Sequence, residues 1–217
     1  MFACAALMLV AQAEASSVRE LGYKTPFPPA SCPTDCQAIA QVTGFQVQIG
    51  TEHNPLRVSK PGKIVAWTVR LSKPNKDQLT YFRTTFGATP QARVSIVRSL
   101  KRRHLYRLIA QSQVFSLEKY FGGTPTFALR QPLPVKKDDI VAVTVPTWIP
   151  AFAHALSDDQ AWRASHASTQ CTTSTPPPAA HQTIGGTKTY ACFYRTARLL
   201  YSATFIPDNK QTNPPAK

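Results

Sequence analysis

The chain has 217 residues, of which 43% are hydrophobic, so it can bury the core of one domain and is too apolar for a disordered chain. Lysine and arginine (25) outnumber aspartate and glutamate (11), and the formal net charge of +14 indicates affinity for polyanions or a generally basic proteome. No apolar stretch approaches the roughly 20 residues of a membrane-spanning helix, so no such helix is expected.

Residues 1–15 predict a secretory signal peptide. Ala3–Val10 is a short apolar segment, and Ala11, Ala13 and Ala15 form two overlapping cleavage sites behind it. The usual positive residues at the start are missing, so the alternative is a hydrophobic tail packed against the domain. From this segment we expect a secreted or extracytoplasmic protein.

The cysteines agree with export. Cys4 would leave with the signal peptide, and Cys32, Cys36, Cys171 and Cys192 would remain. An even number in an exported chain predicts two disulfides, and the shortest pairing is Cys32–Cys36 with Cys171–Cys192, although other connectivities are possible. A zinc site is the alternative, but the spacing is poor for a zinc ribbon.

Residues 16–40 predict an N-terminal strap rich in proline. Ser31 is a candidate N-cap for a short helical turn, in which Cys32 and Cys36 would be i, i+4 neighbours. Residues 41–206 predict the folded domain, and residues 207–217 a disordered tail. The first core strand is expected at 41–49.

A strand–turn–strand unit occurs twice, at 56–69 and at 133–148. Each copy has an apolar lead-in, a polar turn and a β-branched run. The lead-ins are Leu56–Val58 and Leu133–Val135, and the runs are Ile64–Val69 and Ile140–Val145. Two copies of such a unit in a chain of this size indicate a β-sandwich.

Two local signals follow from glycines. Pro61 and Gly62 in the first copy predict a type II turn. Residues 75–87 predict the only helix, with Asn75 as N-cap, Gln78 at the capping-box position and Gly87 just beyond the end.

The remaining strands complete the fold prediction. Further strands are expected at 91–98, 105–111, 126–130, 162–164, 188–195 and 198–206, and a long polar loop at 168–186. About nine strands at roughly 8–12-residue spacing, with one short helix, predict an all-β, jelly-roll-like antiparallel β-sandwich.

Several motifs carry a resemblance. They are CPTDC before the strand GFQVQ, the two repeated units, and YRTARLLYSATF near the end. With these the chain resembles a group of uncharacterised exported bacterial β-sandwich proteins over most of its mature length, and that resemblance implies no activity or ligand. The repeated unit also resembles one in extracellular jelly-roll sandwiches, including carbohydrate-binding modules, which supports the fold more than a function.

No motif for catalysis is present. The sequence has no G-x-S-x-G elbow and no H-E-x-x-H pair, and its histidines are dispersed. We therefore predict no catalytic residues and no cofactor other than Ca²⁺, for which Asp138 and Asp139 are the candidate ligands. The alternative is that these aspartates are solvated or bond to their own turn.

Basic residues are concentrated in one predicted hairpin. Lys101, Arg102 and Arg103 lie between the strands expected at 91–98 and 105–111, where they could bind an anionic polymer. The alternative is a charged hairpin that protects an edge strand from aggregation.

Aromatic residues are the second set of binding candidates, because sugars stack on aromatic faces. Trp148 follows Pro146 at a strand end and is expected at a rim, and Trp162 between charged residues is similar. Tyr106 is a further candidate, whereas Trp67 lies inside a run and is expected in the core.

Together these features predict a secreted, non-enzymatic module that binds glycans or an anionic polymer of the cell envelope. A role with intracellular nucleic acid conflicts with the predicted signal peptide and the cysteines. The alternatives are a secreted hydrolase with an unrecognised site and a purely structural surface protein.

Overall fold

The computed structural model describes residues 17–22, 26–171 and 178–208. The predicted signal peptide, the part of the polar loop at 172–177 and the tail from residue 209 lie outside the described residues. In the described chain the fold is mostly β, all strand pairs are antiparallel and there is one α-helix. The predicted all-β, sandwich-like fold is confirmed.

The described residues include fifteen strands and one α-helix. In chain order the strands are β1 (Arg19–Leu21), β2 (Ile39–Ile49), β3 (Glu52–His53), β4 (Gly62–Val69), β5 (Gln91–Ser99), β6 (Leu105–Gln111), β7 (Phe115–Ser116), β8 (Thr126–Val135), β9 (Ile140–Ile149), β10 (Phe152–Ala153), β11 (Gln160–Ala164), β12 (Thr187–Thr189), β13 (Cys192–Arg195), β14 (Arg198–Leu199) and β15 (Tyr201–Pro207). The helix is α1 (Lys76–Phe86), and 3₁₀ turns lie at Glu118–Tyr120 and Ser168–Gln170. Nine of the strands have four residues or more, and the other six are too short to show an alternating pattern in the sequence.

The strands form two main sheets. The small sheet has the order β1-β15-β4-β8, and the large sheet follows the path β12-β6-β5-β9-β2-β11-β13. Strands β3 and β7 add to β2 and β5, and β10 pairs with β14. One core cluster combines side chains of both sheets, among them Trp67 of β4, Phe205 of β15 and Val143 of β9. The two sheets therefore bury a shared interior, as in a sandwich.

The two copies of the repeated unit exchange their lead-ins. In the first lead-in, the Val58 amide donates to the Asp139 carbonyl and the Val58 carbonyl accepts from the Asp138 amide, both at 2.8 Å. In the small sheet, Gly62 at the start of the first run lies opposite Val135 in the second lead-in. Each lead-in thus pairs with the other copy, and each unit crosses from one sheet to the other within its turn.

The expected type II turn at Pro61 and Gly62 is wrong. Gly62 does not have a positive φ and is the first residue of β4. A Cβ at this position would lie 2.3 Å from the carbonyl oxygen of Ile206 and 2.5 Å from Cε2 of Phe205. Glycine is required here because β15 approaches the backbone closely, and not because the backbone bends.

Helix α1 has the predicted ends. The Asn75 side chain accepts from the Gln78 amide at 3.0 Å and the Gln78 side chain accepts from the Asn75 amide at 2.9 Å, which completes a capping box. The helix ends where the Gly87 amide donates to the carbonyl of Arg83. No helix in the described ranges is long and apolar enough to span a membrane.

The expected rim position of Trp148 is wrong, because α1 covers this end of β9. The Trp148 side chain is fully buried, with its ring centroid 4.9 Å from that of Phe82 in the helix and 5.8 Å from that of Phe121. Its Nε1 donates to the carbonyl of Gly87 at 2.9 Å. Trp148 therefore joins helix to sandwich and offers no face to a ligand.

Two disulfides connect the predicted pairs, Cys32–Cys36 and Cys171–Cys192. The first closes a turn in which the Asp35 amide donates to the Ser31 carbonyl at 3.1 Å. The second connects the 3₁₀ turn after β11 to the start of β13. Both disulfides therefore join cysteines that are neighbours in the order of the chain, as the shortest pairing predicted.

Candidate functional site

The register of the large sheet places the predicted binding residues on two different faces. In an antiparallel pair, directly opposite residues share a face and successive residues alternate. Arg163 lies opposite Phe45, and Trp162 lies opposite Gln46. We call the face of Arg163 the outer face. The face of Trp162 is the inner face, because Trp162 contacts Phe152 of the β10–β14 pair.

An aromatic cluster supports the outer face. The rings of Phe45, Tyr106 and Tyr190 lie 5.0 to 5.4 Å apart, centroid to centroid. Burial raises the pKa of Tyr106 and of Tyr190. Tyr106, which the sequence suggested as a ligand contact, is only 9% exposed, so it supports the surface from below.

The basic hairpin forms one end of the outer face. Lys101, Arg102 and Arg103 are exposed in the turn between β5 and β6. The Leu105 amide donates to the Arg102 carbonyl at 3.1 Å and closes the turn. His104 adopts a positive φ of 57° and accepts at Nε2 from Nε of Arg103 at 3.0 Å. The conformation of the turn thus fixes the direction in which Lys101, Arg102 and Arg103 project from the sheet.

One backbone hydrogen bond and one side-chain hydrogen bond connect this hairpin to β11 through Tyr190. The Tyr190 amide donates to the His104 carbonyl at 2.8 Å. The Tyr190 carbonyl accepts from Nη1 of Arg163 at 3.2 Å. Hairpin and Arg163 are therefore held on either side of one residue, although they are far apart in the chain.

Beyond Arg163 an exposed aromatic ring lies between two cations. The Phe193 ring is 39% exposed, and its centroid lies 4.8 Å from the guanidinium carbon of Arg163 and 5.5 Å from that of Arg195. Alternation along β13 places Phe193 and Arg195 on the same face. We define the cationic face as Lys101, Arg102, Arg103, Arg163, Phe193 and Arg195.

Among the described residues, no carboxylate forms an ion pair with the cationic face. The ion pairs between described residues are Arg57–Asp138, Arg83–Glu118, Arg98–Asp139 and His154–Asp35. None of them includes a residue of the face. Burial lowers the pKa of Arg163, and burial together with Arg163 and Arg103 lowers the pKa of His104. Like charges are thus held close together, a repulsion that a bound anion would relieve.

The sequence alone identified the hairpin but not its partners. Arg163 and the Phe193–Arg195 pair come from β11 and β13, and no local motif connects them to residues 101–103. The only available signal was the alternation of an aromatic residue and a cation at 193 and 195. The proximity to the hairpin depends on the order of the strands.

The aspartate doublet has a structural role. Both carboxylate oxygens of Asp139 accept from Arg98, at 2.7 Å from Nε and 2.9 Å from Nη2, and Oδ2 also accepts from the Lys136 amide at 2.8 Å. Asp138 is exposed and lies 3.7 Å from Arg57. Within the described residues no three histidine, cysteine or acidic side chains are grouped for a metal ion. Both oxygens of Asp139 are therefore engaged by protein groups, and no acidic neighbour completes a calcium site in the described part of the chain.

Trp162 lies apart from the cationic face, at a pocket on the inner face. It is 7% exposed, so the expected open position is wrong, because Phe152 and Tyr194 pack against its ring. The pocket has a volume of about 250 Å³ and is lined by Trp162, Tyr194, His166 and residues of β2. Trp162 and the basic hairpin therefore belong to separate sites, whereas Tyr106 lies beneath the outer face.

The fold defines a class of protein, an all-β sandwich with two disulfides, and its outer face carries exposed lysine and arginine side chains that form no ion pair with another described residue. No protein-family model, no curated protein and no solved structure matches the chain.

Proposed function

We propose that the protein is a non-enzymatic binding module for an anionic polysaccharide outside the reducing cytosol, and that the cationic face is its binding surface. The observation that carries this proposal is the exposed Phe193 ring between Arg163 and Arg195, next to a hairpin of three cations. Cations that lack carboxylate partners can neutralise the charges of a polyanion, which then releases the counterions condensed along it.

A long anion fits this surface better than a small one. The cations extend from the hairpin across β11 to β13 and do not converge on a single point. Both guanidinium groups lie over the Phe193 ring, so its exposed edge adds an apolar contact for a sugar ring beside the cations. A row of cations with an apolar edge beside it suits a polymer of charged sugar units.

The disulfides favour an envelope polymer over nucleic acid. Disulfides persist in oxidising compartments and are rare in the cytosol. Export would also agree with the predicted signal peptide at residues 1–15. In such a compartment sulfated, phosphorylated or carboxylated polymers are the available polyanions.

The test compares polymers that share charge but differ in chemistry. The oxidised protein is titrated with dextran sulfate, polygalacturonate, polyphosphate, neutral dextran and single-stranded DNA at several salt concentrations. We expect binding of the acidic polysaccharides, no binding of neutral dextran, and an affinity that falls linearly on logarithmic axes as salt rises. Tighter binding of the DNA than of every acidic polysaccharide would contradict the proposal.

Matched variants separate a site from net charge. The double substitution Arg102→Ala/Arg103→Ala should weaken binding about tenfold or more, because each lost contact reduces the number of counterions that the polymer releases on binding. The substitution Lys73→Ala/Lys76→Ala removes the same charge from exposed positions just before α1 and at its first residue, outside the cationic face, and should change affinity less than twofold. Equal losses in the two variants would show that charge alone, and no defined surface, causes binding.

A further inference from the structure

The inner-face pocket has aromatic walls. The Trp162 and Tyr194 rings are stacked, with centroids 4.7 Å apart and planes 26° apart, and Phe152 meets Trp162 edge-on at 5.8 Å. Gly44 permits this arrangement, because a Cβ there would lie 3.0 Å from Cζ3 of Trp162. Most of the other lining residues are apolar, so the walls favour an apolar ring.

A buried histidine in the lining lacks hydrogen-bond partners. His166 is 5% exposed, and neither Nδ1 nor Nε2 has a partner in the described structure. The indole Nε1 of Trp162 is buried without a partner as well. Buried polar atoms in proteins are nearly always paired, so three unpartnered nitrogens beside one pocket call for a partner that the described residues do not supply. All three nitrogens lie beneath the accessible surface of the wall, so a ligand group reaches His166 once its imidazole ring turns toward the pocket.

The polar groups of the pocket are uncharged. Burial and the charge of Lys188 both lower the pKa of His166, which keeps the imidazole neutral. A neutral imidazole offers one donor and one acceptor, and the indole adds one donor. The other polar lining residues are Gln37 and Gln41. An ionic ligand would find no counter-charge here.

The strands that form the pocket are irregular at this position. Gln41 has a positive φ of 52° and lies in a bulge of β2, and its carbonyl accepts from the amides of Ala180 and His181 at 2.7 and 2.9 Å. The pairing of β11 with β2 shifts register between Ala161 and Trp162. Bulges redirect side chains and often lie beside binding sites.

Both disulfides restrain the walls of the pocket. Cys36 directly precedes the lining residue Gln37, and its bond to Cys32 fixes that end of the strap. Cys192 lies opposite Ala164, and the amide of Ala191 donates to the His166 carbonyl at 3.2 Å. The backbone of the pocket walls is thus held in place before any ligand binds, so only side chains need to turn, which lowers the cost of binding.

We propose that this pocket binds a small uncharged aromatic molecule with one hydrogen-bonding group, whose ring packs on Trp162 and Tyr194 and whose polar group pairs with His166. This inference does not depend on the polysaccharide proposal, because the two surfaces lie on opposite faces. A sugar fits less well, since its hydroxyl groups surround the ring and the walls offer few polar partners.

The test is calorimetry on the oxidised protein with four compounds: phenol, toluene, cyclohexanol and glucose. We expect phenol to bind at least tenfold more tightly than toluene, which lacks the polar group, and than cyclohexanol, which lacks the aromatic ring. Binding of toluene equal to that of phenol would overturn the role of His166. Tighter binding of glucose, or no binding of any compound, would overturn the proposal and leave a pocket that holds water only.

Two variants and a control complete the experiment. His166→Phe removes the hydrogen-bonding group and should reduce the preference for phenol over toluene to less than threefold. If that variant fails to fold, Ala38→Phe, at a half-buried lining position, should abolish binding of phenol by filling the pocket. His53→Phe, at an exposed position of β3, should leave binding unchanged. Phenol binding that survives Ala38→Phe at full strength would place the compound elsewhere and contradict the inference.

Discussion

Arg98 and Asp139 form a two-point ion pair between β5 and the turn of the second repeated unit. The guanidinium Nε and Nη2 donate to the two carboxylate oxygens at 2.7 and 2.9 Å. The carboxylate is 1% exposed, and its hydrogen bonds raise the pKa of Arg98. This pair anchors the turn through which the second unit passes from the small sheet to the large one.

Asp139→Asn should therefore lower the free energy of unfolding by about 2 kcal/mol. The substitution removes one charge-assisted hydrogen bond and leaves an amide that cannot accept from both Arg98 nitrogens and the Lys136 amide at once. The partial exposure of Arg98 limits the loss, since water can reach its guanidinium. Urea denaturation measures the effect.

The neighbouring residue supplies the control. Asp138→Asn retains a residue type that tolerates the positive φ of 70° and loses only an exposed pair at 3.7 Å. It should change stability by less than about 0.5 kcal/mol. Equal effects at the two positions would refute the anchoring role of Asp139.

Gly62→Ala should destabilise the protein by about 3 kcal/mol or more, because the added carbon would overlap the carbonyl oxygen of Ile206 and the ring of Phe205. The small sheet would have to separate at the β4–β15 pair. Thermal unfolding measures the change. Gly185→Ala, where no atom lies within 4 Å of the added carbon, is a control that loses only about 1 kcal/mol from its positive φ of 82°. A tolerated Gly62→Ala would disprove the close approach of β15.

Stability should fall as the pH drops below about 6.5, the ordinary pKa of histidine. Burial is the main cause that lowers the pKa of both His166 and His181. The charge of Lys188 lowers both pKa values further, and the charge of Arg93 also lowers the pKa of His181. Below that pH the unfolded chain therefore binds more protons than the folded protein, and above it both states are neutral. Urea midpoints at about pH 7.5 and about pH 5.5 measure the difference.

His166→Gln/His181→Gln should reduce that pH dependence, whereas His53→Gln, at an exposed position of β3, should retain it. An unchanged midpoint between the two pH values in the unsubstituted protein would contradict the prediction.

The parts of the fold that depend on neighbours in the chain could be predicted. The caps of α1 at Asn75, Gln78 and Gly87 are local hydrogen bonds, and the sequence placed each of them correctly. The disulfides followed from sequence proximity. The alternating strands followed from residue patterning, since burial of one face leaves a period of two.

The parts that depend on strand order could not be predicted. Phe193 and Arg163 meet the basic hairpin only because Tyr190 connects them, and nothing near residues 101–103 encodes that contact. Trp148 was expected at a rim because Pro146 precedes it, but α1 folds back over that strand end. A type II turn was expected at Gly62 because glycine meets two different requirements, a positive φ and a close approach of another strand to the backbone. The sequence shows the glycine but not which requirement applies.

The exchange of lead-ins between the repeated units also determines how the chain can be divided. A cut in the hairpin at residues 101–104 would give two fragments, each with a lead-in and a run that must pair with the other. Neither fragment could complete a sheet by itself. During synthesis the first unit would therefore fold only after the second unit has been made. Co-expressed fragments would be expected to reassemble into the whole domain, which would make the protein suitable for a split reporter.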